Sequence, residues 1–268
     1  MKKNNPVLCV SILILGLMAF GFVNRSTSES NKVSIPDNLN LASNQSPSQH
    51  MDFRYFADYI YDVGTRFGPI KKEDLNKVTS FSDLIDDDDA KKIVTYKFVE
   101  VIVIENDKES NTRESGNSGE LTSAQLNLLK RSDYSTNLKI RADVMQKNSH
   151  TGELENSYWT PHLTIVPEKQ AVYVHGKDAL MEFLRENSKV SWVNVVEDKL
   201  KSARLYFTVT KNGTIENVAL DSSSNFPEVD QRMIELIKQT LGKWHPAVNT
   251  KGEKVDQELV LSFGLMGC

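Results

Sequence analysis

ARLYFTVTKNGTIENVALD, residues 203–221, reads as a β-hairpin from end to end. Ala203, Leu205, Phe207 and Val209 alternate with Arg204, Tyr206, Thr208 and Thr210. That period of two lays an apolar and a polar face along one strand. Lys211-Asn212-Gly213-Thr214 supplies the turn, because Asn-Gly takes up positive φ at little cost, and IENVALD returns as the second strand. Pro227 and Glu228 then suit the first turn of a helix. Val229, Met233, Leu236, Ile237 and Leu241 give that helix an apolar stripe, and Gly242 is placed to end it. Val255, Gln257, Leu259, Leu261 and Phe263 share one face of a third strand, with Asp256, Glu258, Val260 and Ser262 on the other. Strand, strand, helix, strand predicts a three-stranded antiparallel sheet covered by one helix.

Working outward, GKWHPAVNTKGEKV, residues 242–255, joins the helix to the last strand. Trp244 is expected to plug the core there, Pro246 to stiffen the crossing and Gly252 to ease the turn. This is a rigid connector, not a reaction site. Upstream, KDALMEFLREN puts Leu180, Met181 and Leu184 on one helical face. Residues 51–166 read as a separate α+β region. FRYFADYIYDVG suggests a short aromatic helix, and the run Asp86–Asp89 a solvated turn without the spaced oxygens of a calcium loop. IVTYKFVEVIVIEND, residues 93–107, is a strand, and the polar stretch to Gly119 a loop. LTSAQLNLLK is a helix opened by Thr122 and Gln125 at capping-box spacing, and residues 134–166 fold back as an antiparallel hairpin.

Residues 6–23, PVLCVSILILGLMAFGFV, carry no charge and follow Lys2 and Lys3. As a helix this segment reaches roughly 27 Å, close to the ~30 Å hydrocarbon core of a bilayer. A signal-anchor helix over residues 1–23 is the expectation, and a cleavable signal peptide ending near Ala19 or Gly21 is the rival. The basic flank would stay in the cytoplasm, giving a single-pass inner-membrane protein with its C-terminal part in the periplasm. Ser- and Asn-rich residues 24–50 form a linker. The organisation expected is therefore anchor (1–23), linker (24–50), α+β region (51–166) and C-terminal domain (167–268).

Chemistry-bearing patterns are sparse. The five histidines form neither a tight pair nor an HExxH motif, no serine sits in a GxSxG elbow, and no glycine-rich phosphate loop occurs. No catalytic residue, cofactor or metal ligand is expected, and the chain does not read as an enzyme. A net charge of −4, with lysines and arginines interleaved with acids, argues against nucleic acid. Cys9 and Cys268 cannot staple one domain, although Cys268 leaves a linked homodimer open. A small sheet with one helix does have exposed edges, and an extended peptide can add to such an edge. The backbone of Val255, Gln257, Leu259, Leu261 and Phe263 is the expected docking edge, with Trp244 and Pro246 positioning it.

Residues 167–264 resemble the C-terminal domain of TonB-type energy transducers, in the form common in Bacteroidetes-like bacteria. The likeness runs through PEKQAVYVHGKDALMEFLRENS, ARLYFTVTKNGTIENVALD, VDQRMIELIKQTLGKW and the strand ending LSFG. Its more specific part is Trp244, Pro246, Ala247, Gly252 and Val255. The resemblance implies binding to the N-terminal box of outer-membrane TonB-dependent transporters by strand addition. It also implies inner-membrane proton-channel partners and energy-coupled uptake. The family's proline-rich spacer is missing, and an α+β region stands in its place. A membrane-tethered periplasmic interaction or structural module without energy transduction is the alternative.

Overall fold

The computed structural model describes residues 59–265. The helices and strands follow in the order β1 (Ile60–Gly64), β2 (Gly68–Lys71), α1 (Lys72–Leu75), α2 (Asp87–Ala90), β3 (Ile93–Glu105), β4 (Lys108–Gly116) and α3 (Ser123–Arg131). Next come β5 (Asn137–Lys147), β6 (Leu154–Trp159), β7 (His162–Val166), β8 (Val172–Tyr173) and α4 (Lys177–Ser188). The chain finishes with β9 (Ala203–Val209), β10 (Ile215–Ser222), α5 (Pro227–Lys238), β11 (Trp244–His245), β12 (Ala247–Val248), β13 (Lys254–Val255) and β14 (Gln257–Gly264).

The hairpin read from residues 203–221 forms as β9 and β10, and β14 pairs antiparallel with β9 from Gln257↔Val209 to Phe263↔Ala203. The sheet nevertheless has four strands, not three. Its order is β1-β14-β9-β10, and β1 pairs with β14 from Ile60↔Gly264 to Gly64↔Val260. Two helices cover it instead of one. Leu205, Phe207, Leu261 and Phe263 are buried in one cluster with Val229, Met233 and Leu236 of α5 and with Leu180 and Leu184 of α4. The expected three-stranded, one-helix unit is corrected accordingly. The physical reason lies in β1: Tyr61 and Val63 stand opposite Phe263 and Leu261 and extend the same buried face. The Tyr59 ring stacks on Trp192 at 4.2 Å, and the Tyr61 hydroxyl lies 2.8 Å from Ser188 Oγ.

A second sheet has the order β2-β7-β5-β3-β4, with β6 also paired to β5. Val99, Val101, Leu138, Ile140 and Ala142 form its buried face, under Leu128 and Leu129 of α3 and beside Leu75 and Phe81. Helix α3 carries the expected capping box: Thr122 Oγ1 accepts from the Gln125 amide, and the Gln125 side chain accepts from the Thr122 amide. Because β1 belongs to the first sheet, the second sheet is an insertion into it. The chain leaves after β1 and returns after β7, and β2 and β7 lie side by side in parallel. Both sheets belong to one compact unit.

Four local expectations change. The run Asp86–Asp89, expected as a solvated turn, opens the short helix α2, with Asp86 at its N-cap and Asp87–Asp89 inside it. Residues 60–64 of the supposed aromatic helix form the strand β1, and residues 53–58 lie outside the described residues. The supposed loop before Gly119 contains the nine-residue strand β4. Helix α5 ends at Lys238, which leaves Leu241 exposed. The inner-membrane assignment is corrected as well: no helix among the described residues is long and apolar enough to cross a membrane. The segment on which that assignment rested, residues 6–23, lies outside them, as do the linker 24–50 and both cysteines.

Candidate functional site

The residues expected to offer a docking edge lie inside the sheet. Gln257, Leu259, Leu261 and Phe263 are all buried, and β14 sits between β9 and β1. Val255 is in β13 and pairs with Ala247. Where β14 runs past the end of β1, other groups close it. The Glu258 amide donates to Ser135 Oγ at 2.9 Å. Gln257 Oε1 accepts from the Ala171 amide at 2.7 Å, and Asp256 Oδ1 accepts from the Lys211 amide at 2.6 Å. The expectation that β14 is a free edge is therefore corrected: β1 occupies that edge in cis.

The edges of this sheet are β10 and β1. Strand β10 carries register shifts between Glu216 and Ala219 and between Leu220 and Ser222. Bulges of this kind twist an edge away from pairing. Strand β1 is regular. Glu258 turns its amide away from β9, so by alternation Val260, Ser262 and Gly264 direct theirs at β1, and Gly64, Asp62 and Ile60 answer them. The Tyr61 and Val63 backbone groups then point outward.

Trp244 is 5% exposed. Its ring meets Tyr173 edge-on at 5.7 Å and Phe207 at 5.5 Å, and Nε1 donates to Thr240 Oγ1 at 2.9 Å. Pro246 follows β11, and Ala247 is buried. Gly252, at φ 80°, turns the small ribbon formed by β12 and β13. Beside Trp244, at the point where β1 stops, is an apolar pocket of about 340 Å³ walled by Val63, Tyr173, Leu180, Trp244 and Leu259. Lys177 borders it, with Nζ 2.5 Å from Asp62 Oδ1.

A second concavity lies between the sheets. Asn106 and Asp107 form a two-residue loop between Glu105 and Lys108, with φ of 51° and 57°. Positive φ at both positions marks the turn type that matches hairpin twist. The Asp107 carboxylate at that tip accepts from Arg66 Nε and Nη2 at 3.0 Å each, from Arg204 Nη2 at 2.9 Å and from the Tyr206 hydroxyl at 3.3 Å. Arg204 also pairs with Asp221 at 2.9 Å. The Arg66 hydrogen bonds hold Asp107 below the usual carboxylate range. Burial, then the Asp107 charge, push Tyr206 up to about 12. Arg66 sits between β1 and β2, so one carboxylate clasps the insertion to the first sheet. Next to the clasp is a cleft of about 630 Å³ lined by Tyr134, Ser135, Tyr206, Asn217, Asp221 and Glu258 among others. Burial raises the Glu258 carboxyl.

Sequence reasoning ran the strand through to Asp107 and so missed this hairpin. The local signal was the turn-favouring pair Asn106-Asp107 alone, since KESNTRESG after it carries no apolar alternation. Nothing local marked Arg66 or Tyr61. Among the described residues no group of three or more His, Cys, Asp or Glu could hold a metal ion. His162 packs against Phe67 and His175 against Tyr173. Compared with family models, curated proteins and solved structures, the chain matches none.

Proposed function

We propose that the chain is a protein-binding module that docks an extended segment of a partner along the outer edge of β1. An apolar side chain of that segment would seat in the pocket walled by Trp244 and Leu259. Main-chain hydrogen bonds would supply affinity, and the pocket would supply specificity. The observation that carries this reading is the coincidence of an outward-facing backbone edge at Tyr61 and Val63 with an apolar pocket at its end. The likeness of residues 167–264 to TonB-type domains supports the N-terminal segments of outer-membrane TonB-dependent transporters as first partners, in energy-coupled uptake. The second reading, an interaction module without energy transduction, is favoured by β1. A segment added here joins a four-stranded sheet instead of pairing with β14 itself.

The test is an NMR titration of residues 51–268 with transporter N-terminal peptides. Saturable shifts of the Tyr61 and Val63 amides and of the Trp244 indole are expected, with the Glu258 amide unmoved. Shifts centred on β14 with loss of β1 pairing would show strand replacement instead. No shift with any peptide would remove the transporter reading.

A further inference from the structure

We infer that the cleft between the two sheets is a separate binding site for a small neutral polyhydroxylated ligand, a saccharide. Its volume of about 630 Å³ lies within the ~300–1,000 Å³ range of small-molecule sites. The wall is polar, and what matters is which of its groups are still unused. Asn137 Oδ1 accepts from Thr164 Oγ1 at 2.7 Å, which leaves its amide protons for a ligand. Asn217 Nδ2 donates to Thr208 Oγ1 at 3.3 Å, which leaves its oxygen. Among the described residues, no group partners the Asn106 side chain, the Tyr134 hydroxyl or the Glu258 carboxyl. Glu258 is partly buried, and burial alone raises its carboxyl.

The chemistry of this set selects its ligand. An apolar molecule would strip water from five hydrogen-bonding groups and replace none of it, at a cost of roughly 1–3 kcal/mol for each group left buried and unpaired. An anion would meet Asp107, Asp221 and Glu258. Among the described residues, the arginines bound to those acids are Arg66 and Arg204, already spent on Asp107 and Asp221. A cation would satisfy the acceptors but not the donors of Tyr134, Asn106 and Asn137. Hydroxyls donate and accept at once, so a ring bearing several of them answers both kinds of group. Tyr134, in the turn before β5, and Tyr206, in β9, add aromatic surface for the ring's C–H face. Two of these five groups, Asn106 and Asn217, stand at positive φ in a hairpin turn and a bulge, and Asp107 and Ser135 of the same wall share that conformation. Each is held by its turn or bulge, so little ordering remains to be done on binding.

Calorimetric titration of the full chain with neutral mono- and disaccharides tests this, with lysine and spermidine as cationic probes. Saturable binding of at least one saccharide is expected. It should weaken about tenfold in Glu258→Ala, where a hydrogen bond to a charged group is lost, and less in Tyr134→Phe, which keeps the ring. Transporter peptides should bind both variants as they bind the parent chain. Absence of saccharide binding, binding of the cations instead, or saccharide binding indifferent to both variants would each overturn the assignment, whatever the outcome of the peptide titration.

Discussion

In the sheet β1-β14-β9-β10, three strands send aromatic or branched residues toward two helices: Tyr61 and Val63, Leu205 and Phe207, Leu261 and Phe263. The inserted sheet is built differently. Its edge strand β4, KESNTRESG, contains no apolar side chain larger than glycine, yet it pairs along β3 from Val99↔Gly116 to Glu105↔Lys108. One sheet is specified residue by residue through its buried face. The other recruits a polar strand by backbone pairing to a 13-residue neighbour whose own apolar face is already buried by α3. Where the two meet, the contact is ionic and polar, through Asp107 and Ser135.

That contrast breaks most directly at Trp244. Replacing it with alanine empties a buried aromatic site against Tyr173 and Phe207 and should cost ~3–5 kcal/mol. At ~2–4 °C per kcal/mol, the melting temperature falls by roughly 10 °C. Calorimetry should show a single transition, and hydrogen exchange at Val101 and Ile140, in the other sheet, should speed up in step. If those amides keep their protection, the clasp does not couple the sheets.

Gly213→Ala should rank next. A Cβ there would stand 2.6 Å from the Trp244 carbonyl oxygen, at φ 77°. Strain at such a position costs about 1–3 kcal/mol, and the backbone must shift to relieve the clash. The loss should be confined to the β9–β10 turn and the connector. Amide shifts that spread into β3 and β5 would show that the turn supports both sheets.

Asp107→Ala tests the joint itself. Arg66 and Arg204 would be left facing one another about three-quarters buried, for a loss of roughly 1–3 kcal/mol. The parent chain should show the linked pH dependence. The folded Asp107 carboxyl lies below its unfolded value of about 3.9. Its stabilisation is therefore present above about pH 4 and lost as pH falls through the folded value. A denaturation series from about pH 5 downward should bring parent and variant together at the acid end. A constant gap across that range would mean that the carboxylate's charge contributes nothing.

The elements legible in the sequence were those whose signal is local. Alternation in residues 203–209 and 257–263, the stripe from Val229 to Ile237 and the Thr122–Gln125 box each occupy one contiguous window. What escaped was non-local. Nothing in IYDVG says that it pairs with a strand about 200 residues later, because the apolar partners of Tyr61 and Val63 lie beyond an entire inserted sheet. An assumption of contiguous domains therefore left β14 as an edge and misplaced the docking surface. Strand β4 escaped for the opposite reason: its side chains carry no burial signal, and only the register of β3 reveals it.

The smallest expected effect is also the one that best separates the two carboxylates of the cleft. Asp107 is charge-paired and lowered, whereas Glu258 is raised by burial. A raised folded value means that the native state holds the proton more tightly than the unfolded chain does. Glu258's contribution is then fully present below its unfolded value of about 4.3 and lost as pH rises through the folded value. Ionising the side chain in the fold therefore costs stability. Glu258→Gln, which keeps the shape and drops the charge, should raise the melting temperature at about pH 7 by no more than a few degrees, since the group is partly solvated. The difference should vanish near pH 4, the reverse of the Asp107 profile. A fall in melting temperature at neutral pH would mean that the carboxylate is held by a charge or donor not seen here. A saturating saccharide should shrink the parent's deficit, because its hydroxyls would donate to the carboxylate that now stands alone.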